Sequence, residues 1–106
     1  MKIPRSIKIG AHKVPVQKFQ EKQEDPEAGT VRLGQFSSAT GGHNIEIWDE
    51  LQGSIRGEVF LHEIVEGIND IYGLHLDHRV LTTLSAALYQ VLSENKLRFY
   101  KFPAGE

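Results

Sequence analysis

Glu58-Val59-Phe60-Leu61-His62-Glu63-Ile64-Val65-Glu66-Gly67-Ile68-Asn69-Asp70-Ile71-Tyr72 is the stretch on which the reading of the chain turns. Its apolar residues Leu61, Ile64, Val65, Ile68, Ile71 and Tyr72 recur at the three- and four-residue intervals of one helix face. Gly73 follows as a stop, because glycine readily takes the left-handed conformation that closes helices. The spacing predicts a helix over about 57–72, with Ser54 as a candidate cap before it. Downstream, Asp77 can cap a second helix reaching about 94, whose expected core stripe is Val80, Leu81, Leu84, Leu88, Val91 and Leu92. Few residues separate the two helices, so they are expected to pack as antiparallel neighbours.

Upstream, residues 1–50 read as strand-rich. Ile7, Ile9, Val14 and Val16 alternate in part around Gly10-Ala11-His12, the pattern of a short hairpin. Residues 20–29 are polar and contain Asp25-Pro26, which predicts a surface loop. Val31, Leu33 and Phe36 suggest another strand, residues 37–42 a turn, and Asn44-Ile45-Glu46-Ile47-Trp48 a strand that could edge or line a cleft. His12 and His43 are then expected in exposed turns. Leu97 to Phe102 suggests a short final strand before Pro103. Strands first and two helices afterwards, with no internal repeat or linker, predict one α+β domain over 1–106: a short antiparallel sheet packed against two C-terminal antiparallel helices.

Composition narrows the chemistry. Of 106 residues, 40% are hydrophobic and 25% charged, the balance of a folding domain rather than a disordered one. The formal charge of −2 supplies no general attraction to nucleic acid, and the paired helices offer no basic reading helix, so no nucleic-acid partner is expected. No apolar run is long enough to span a bilayer or to form a signal-peptide core, so no membrane partner is expected and a cytoplasmic protein is the simplest reading. Cysteine is absent, so a transition-metal site would have to be built from His, Asp or Glu.

At 100° per residue, His62 and Glu66 stand one turn apart on the same helix face, turned away from the Leu61, Ile64, Ile68 stripe. Imidazole and carboxylate are both zinc ligands, and Glu63, rotated about 100° from His62, could hold a water beside a metal without ligating it. A catalytic zinc site needs a third protein ligand, and His75, Asp77 and His78 all follow the helix. His78 is the first choice, although an antiparallel pairing is expected to set it opposite Asn69 and Tyr72 rather than beside His62. Tyr89, on the same side of the second helix, is a candidate oxyanion or substrate contact. The competing reading makes His62, Glu63, Glu66, Asn69 and Asp70 the solvated face of an amphipathic helix, His78 a polar residue of a first turn, and Tyr89 a packing aromatic.

The run Phe60-Leu61-His62-Glu63-Ile64-Val65-Glu66-Gly67-Ile68, followed by Tyr72-Gly73-Leu74, His78, Leu84 and Tyr89-Gln90-Val91-Leu92, resembles a group of small phage and prophage proteins related in motif to the ImmA/IrrE-type metallopeptidases. The resemblance spans about Ile45 to Asn95. It implies a minimal zincin-like fold, with a short sheet on the motif helix and the second helix closing the other side. It further implies His62 as a zinc ligand, Glu63 as general base, Glu66 as a ligand where such proteins usually carry His, and His78 as third ligand. The expected activity is zinc-dependent hydrolysis of a peptide bond by a metal-activated water, with a protein substrate that the resemblance suggests is a repressor, in the host cytoplasm if phage-encoded. The alternative is a non-catalytic phage protein on the same scaffold that acts by binding a protein partner. A substrate strand would pair with a sheet edge, and Asn44 to Trp48 is the expected one.

Overall fold

The computed structural model describes residues 3–21, 23–25, 30–39 and 41–97. Six strands precede two helices: β1 (Ser6–Ile9), β2 (His12–Phe19), β3 (Gln23–Asp25), β4 (Thr30–Arg32), β5 (Gly34–Ala39), β6 (Gly42–Trp48), α1 (Gly53–Ile71) and α2 (His78–Glu94). The main sheet has the order β1-β2-β6-β5, while β3 and β4 form a separate two-stranded ribbon. β1 with β2 and β5 with β6 are antiparallel hairpins, but β2 and β6 run parallel, from Val16 beside Ile45 to Phe19 beside Trp48. The sheet is therefore mixed, not antiparallel as expected. Two hairpins joined through their inner strands can meet in either sense, and short-range alternation carries no information about which.

Both tight turns are where glycine permits them. Gly10 takes φ 59° between β1 and β2, and Gly42 takes φ 119° at the start of β6. The β5–β6 turn is tighter than the sequence suggested, since Ala39 already pairs with Gly42, so His43 and His12 both lie in strands. Their rings meet edge to face at 4.7 Å, and His43 also stacks on Phe36, which leaves it partly covered. The expected loop over 20–29 instead contributes β3, paired with β4 in the ribbon. Residues 26–29, and 98–102 of the suggested final strand, lie outside the described residues.

One face of the sheet meets α1. Ile9, Val14, Ile45, Ile47, Leu51 and Phe60 form the buried core, with Phe36, Val59, Ile64, Ile68 and Ile71 packed around it. The opposite side of α1 is covered by α2 through Leu81 and Ser85, both almost fully buried. Gly57 lies beside Tyr89, His62 beside Ser85 and Glu66 beside His78, so the two helices run in opposite directions as expected. The stripe expected for α2 is corrected by this packing. Of its six residues only Leu81 is buried, Leu92 is half-buried, and Val80, Leu84, Leu88 and Val91 face outward.

The helix ends explain the placement of α2. Residue Gln52, not Ser54, occupies the N-cap of α1, without a side-chain capping bond. At the other end Tyr72 caps, Gly73 takes φ 61°, and the N–H groups of Gly73 and Leu74 reach back to the carbonyls of Asp70 and Asn69. This is the paired closure that a C-terminal glycine permits. The Asn69 side chain then grips the connection twice, accepting from Leu76 N–H at 2.9 Å and donating to Leu76 O at 3.3 Å. Asp77 accepts from Val80 N–H at 2.9 Å and starts α2.

Gly34, at the start of the outer strand β5, sets the distance between strand and helix. A Cβ there would stand 2.8 Å from Val59 Cγ1, 3.2 Å from Glu63 Cγ and 3.2 Å from the Glu46 carbonyl oxygen. The side chains can yield a little; the backbone oxygen of the central strand cannot. Gly34→Ala is expected to destabilise the fold by about 1–3 kcal/mol, the usual cost of overpacking, and chemical denaturation measures it. An unfolding midpoint equal to that of the unaltered protein would contradict the close approach.

Candidate metal centre

Because α1 is packed on two sides, its 62–66 turn buries Glu63 and partly covers His62 and Glu66, while His78, which joins them from α2, stays 80% exposed. His62 and Glu66 face α2, and Glu63, about 100° around the helix, faces β5. His62 Nε2 lies 3.6 Å from Glu66 Oε1, and His78 Nδ1, from the first turn of α2, lies 3.6 Å from the same oxygen. One donor atom from each of these three residues falls within 4.8 Å of the other two, a group that could hold a metal ion. The imidazole rings of His62 and His78 meet nearly at right angles, 5.9 Å apart. His78 thus stands beside Glu66 and His62, closer to the motif turn than an antiparallel pairing by itself suggested. The Asn69 grip on Leu76 draws the connection back along α1 and brings the first residue of α2 with it.

A residue the sequence did not mark out orients the site. Ser85 Oγ is 3.1 Å from His62 Nδ1 and donates its own proton to the Thr82 carbonyl at 3.1 Å. A hydroxyl has one proton to give, so with that proton on Thr82 O the serine oxygen accepts from His62 Nδ1–H. His62 is then the Nδ1–H tautomer, and Nε2 turns a lone pair toward Glu66. Burial holds its pKa below the ordinary 6.5, with Glu66 raising it and His78 lowering it further, which favours the neutral ring. An unprotonated nitrogen and a carboxylate oxygen 3.6 Å apart make no hydrogen bond and repel each other weakly. A cation between them would remove that conflict. Tetrahedral ligands with bonds of ~2.0–2.1 Å stand about 3.3 Å apart, close to the two observed separations, so the residues fit a divalent ion.

Glu63 is buried at 6% exposure between α1 and β5. Burial is the first cause that pushes its carboxyl from 4.5 up to about 7, and the neighbouring Glu66 charge is the second. A hydrogen bond from the Phe36 backbone N–H and the charge of Arg32 oppose the rise. Arg32 is itself held by Gln35. The strand at this point is β5, the outer strand of the sheet. β6, the strand expected to offer an edge, is flanked by β2 and β5 on its two sides.

The remaining candidates lie elsewhere. The Tyr89 ring packs over Gly57, where a Cβ would come within 2.9–3.3 Å of its Cε1, hydroxyl oxygen and Cζ, more than a turn along α1 from His62. His75 is exposed in the connection at φ 58°, and the Asp77 carboxylate is engaged in capping α2. Neither belongs to the three-residue group. No family model, curated protein or solved structure matches the chain. No helix among the described residues is long and apolar enough to cross a membrane.

Protonation of Glu63 links the site to stability. Its pKa is higher in the folded chain than in the unfolded one, so between pH 4.5 and 7 the folded state binds more protons and acid favours folding. The stabilisation is complete below 4.5 and is lost as pH rises through 7. A shift of that size corresponds to roughly 3 kcal/mol. In metal-free protein, Glu63→Gln should flatten the dependence of unfolding free energy on pH between 5 and 8 and raise stability at pH 8. Identical pH profiles for the two proteins would show that Glu63 is not the titrating group.

Proposed function

We propose that the chain is a zinc-dependent hydrolase of peptide bonds, with His62, Glu66 and His78 as the metal ligands and Glu63 as general base. The observation that carries this reading is the convergence of three donor atoms, with His62 Nε2 and His78 Nδ1 each 3.6 Å from one Glu66 oxygen. Two histidines and one glutamate are a ligand set used by catalytic zinc sites, which leave a further position open. The carboxylate stands on the motif helix and the second imidazole comes from α2. The Glu in place of the second motif His is thereby compensated by His78, and the resemblance to the ImmA/IrrE-type proteins supports the same roles. When bound, the ion would supply Lewis acidity, polarising a carbonyl and acidifying a water molecule.

The chain's own groups account for the rest. Ser85 holds His62 in the tautomer that keeps Nε2 available, the usual task of a residue behind a metal-binding imidazole. Glu63, with a proton affinity near neutrality, is suited to take a proton from an attacking water and return it to the leaving amine as the C–O bond forms and the C–N bond breaks. An extended peptide would pair with the outer side of β5, the strand beside Glu63 and an edge of the sheet among the described residues, as substrates commonly add to a sheet edge. A protein substrate, such as a repressor, follows from the resemblance.

Elemental analysis of protein purified without a metal-affinity tag tests the site. About one zinc per chain is expected, lost in His62→Ala, Glu66→Ala and His78→Ala. Glu63→Gln should keep the zinc and lose at least a hundredfold of any peptide hydrolysis, the usual worth of a general base. Failure to bind zinc on addition would overturn the metal assignment. Zinc binding with function unchanged in Glu63→Gln would favour the partner-binding scaffold over the peptidase.

A further inference from the structure

Thr82 stands one turn after His78 on α2, and its hydroxyl oxygen lies 3.5 Å from His78 Nε2. The other nitrogen of that ring, Nδ1, lies 3.6 Å from Glu66 Oε1, the oxygen that His62 Nε2 also approaches. The two histidines therefore present different nitrogens to one carboxylate. Behind each ring, on its remaining nitrogen, is a hydroxyl of α2: Ser85 Oγ at 3.1 Å from His62 Nδ1, and Thr82 Oγ1 beside His78 Nε2. Thr82 joins the two, because its carbonyl accepts the Ser85 proton at 3.1 Å. It meets His78 with its side chain and supports His62 through Ser85 with its backbone.

A neutral imidazole carries one proton, and the nitrogen that binds a cation cannot keep it, so the proton goes to the other nitrogen and the bond made there selects which one that is. His62 is half-covered and has Ser85 to fix it. His78 has little packing to hold its ring, since its side chain is 80% exposed. A half-turn of that ring would put the carbon Cδ2 toward Glu66 and the carbon Cε1 toward Thr82, and both contacts would be lost. The Thr82 hydroxyl accepts from Nε2–H only in the orientation that leaves Nδ1 toward Glu66. Ligation through Nδ1 also suits a residue at the first position of a helix packed on α1, because Nδ1 adjoins the ring carbon that carries Cβ and lies close to the backbone.

On the footing of the zinc-site reading, we propose that Thr82 is a positioning residue of the metal centre: it holds His78 as the Nε2–H tautomer, so that the site takes His62 through Nε2 and His78 through Nδ1. Partners of this kind behind metal-binding imidazoles fix the tautomer and the ring orientation, and their loss weakens metal binding by about ten- to a hundredfold.

The imidazole nitrogen resonances of 15N-labelled, zinc-loaded protein test the assignment. A proton on Nδ1 of His62 and on Nε2 of His78 is expected. Thr82→Val keeps the shape of the side chain and removes the hydroxyl; in competition with a chelator it should bind zinc about ten- to a hundredfold more weakly, and Thr82→Ser should restore the affinity. Circular dichroism and the unfolding midpoint of the metal-free protein should not change, because Thr82 is exposed. Failure to take up zinc would remove the hydrolase reading and this inference together. Zinc uptake with His78 bound through Nε2, or with equal affinity in Thr82→Val, would overturn the role of Thr82 and leave the hydrolase reading in place.

Discussion

α1 is covered on two sides, by the sheet and by α2, and between them it carries within a single turn the buried Glu63 and the partly buried His62 and Glu66. Burying such groups is costly unless each is neutralised or given partners. Glu63 takes the first course in part, through a raised proton affinity, and the second through a hydrogen bond from the Phe36 N–H of β5. His62 takes the second, with Ser85 on its Nδ1. Between His62, Glu66 and His78 the contacts are loose, each imidazole nitrogen lying 3.6 Å from the same Glu66 oxygen. That group could hold a cation, and the functional proposal rests on it.

Several features that look incidental serve this arrangement. Gly34 lets the outer strand come close enough to α1 for Glu63 to meet Phe36 N–H. Gly57 makes room for Tyr89 of α2, and Gly67 for Ile9 and Phe36 of the sheet. The turn after α1 is held by Asn69, whose two bonds to Leu76 fix where α2 begins and therefore where His78 stands. α2 packs on α1 through Leu81, Ser85 and Tyr89, which leaves Leu84 and Leu88 largely outside.

The two helices, their antiparallel pairing, the Asp77 cap and the shared face of His62 and Glu66 were all determined by sequence alone, because they depend on residues within one or two turns of each other. Hairpins at Gly10 and before β6 were legible for the same reason. Three things were decided only by the tertiary structure. The parallel meeting of β2 with β6 joins segments some 30 residues apart, which period-two alternation cannot orient. The side of α2 that is buried depends on how closely it can approach α1, and there the small Ser85 prevails over the bulkier Leu84 and Leu88. The union of His78 with the motif turn depends on a side-chain clamp in the connection. Local periodicity records which faces are apolar; which of them meet is settled by the shape of the whole chain.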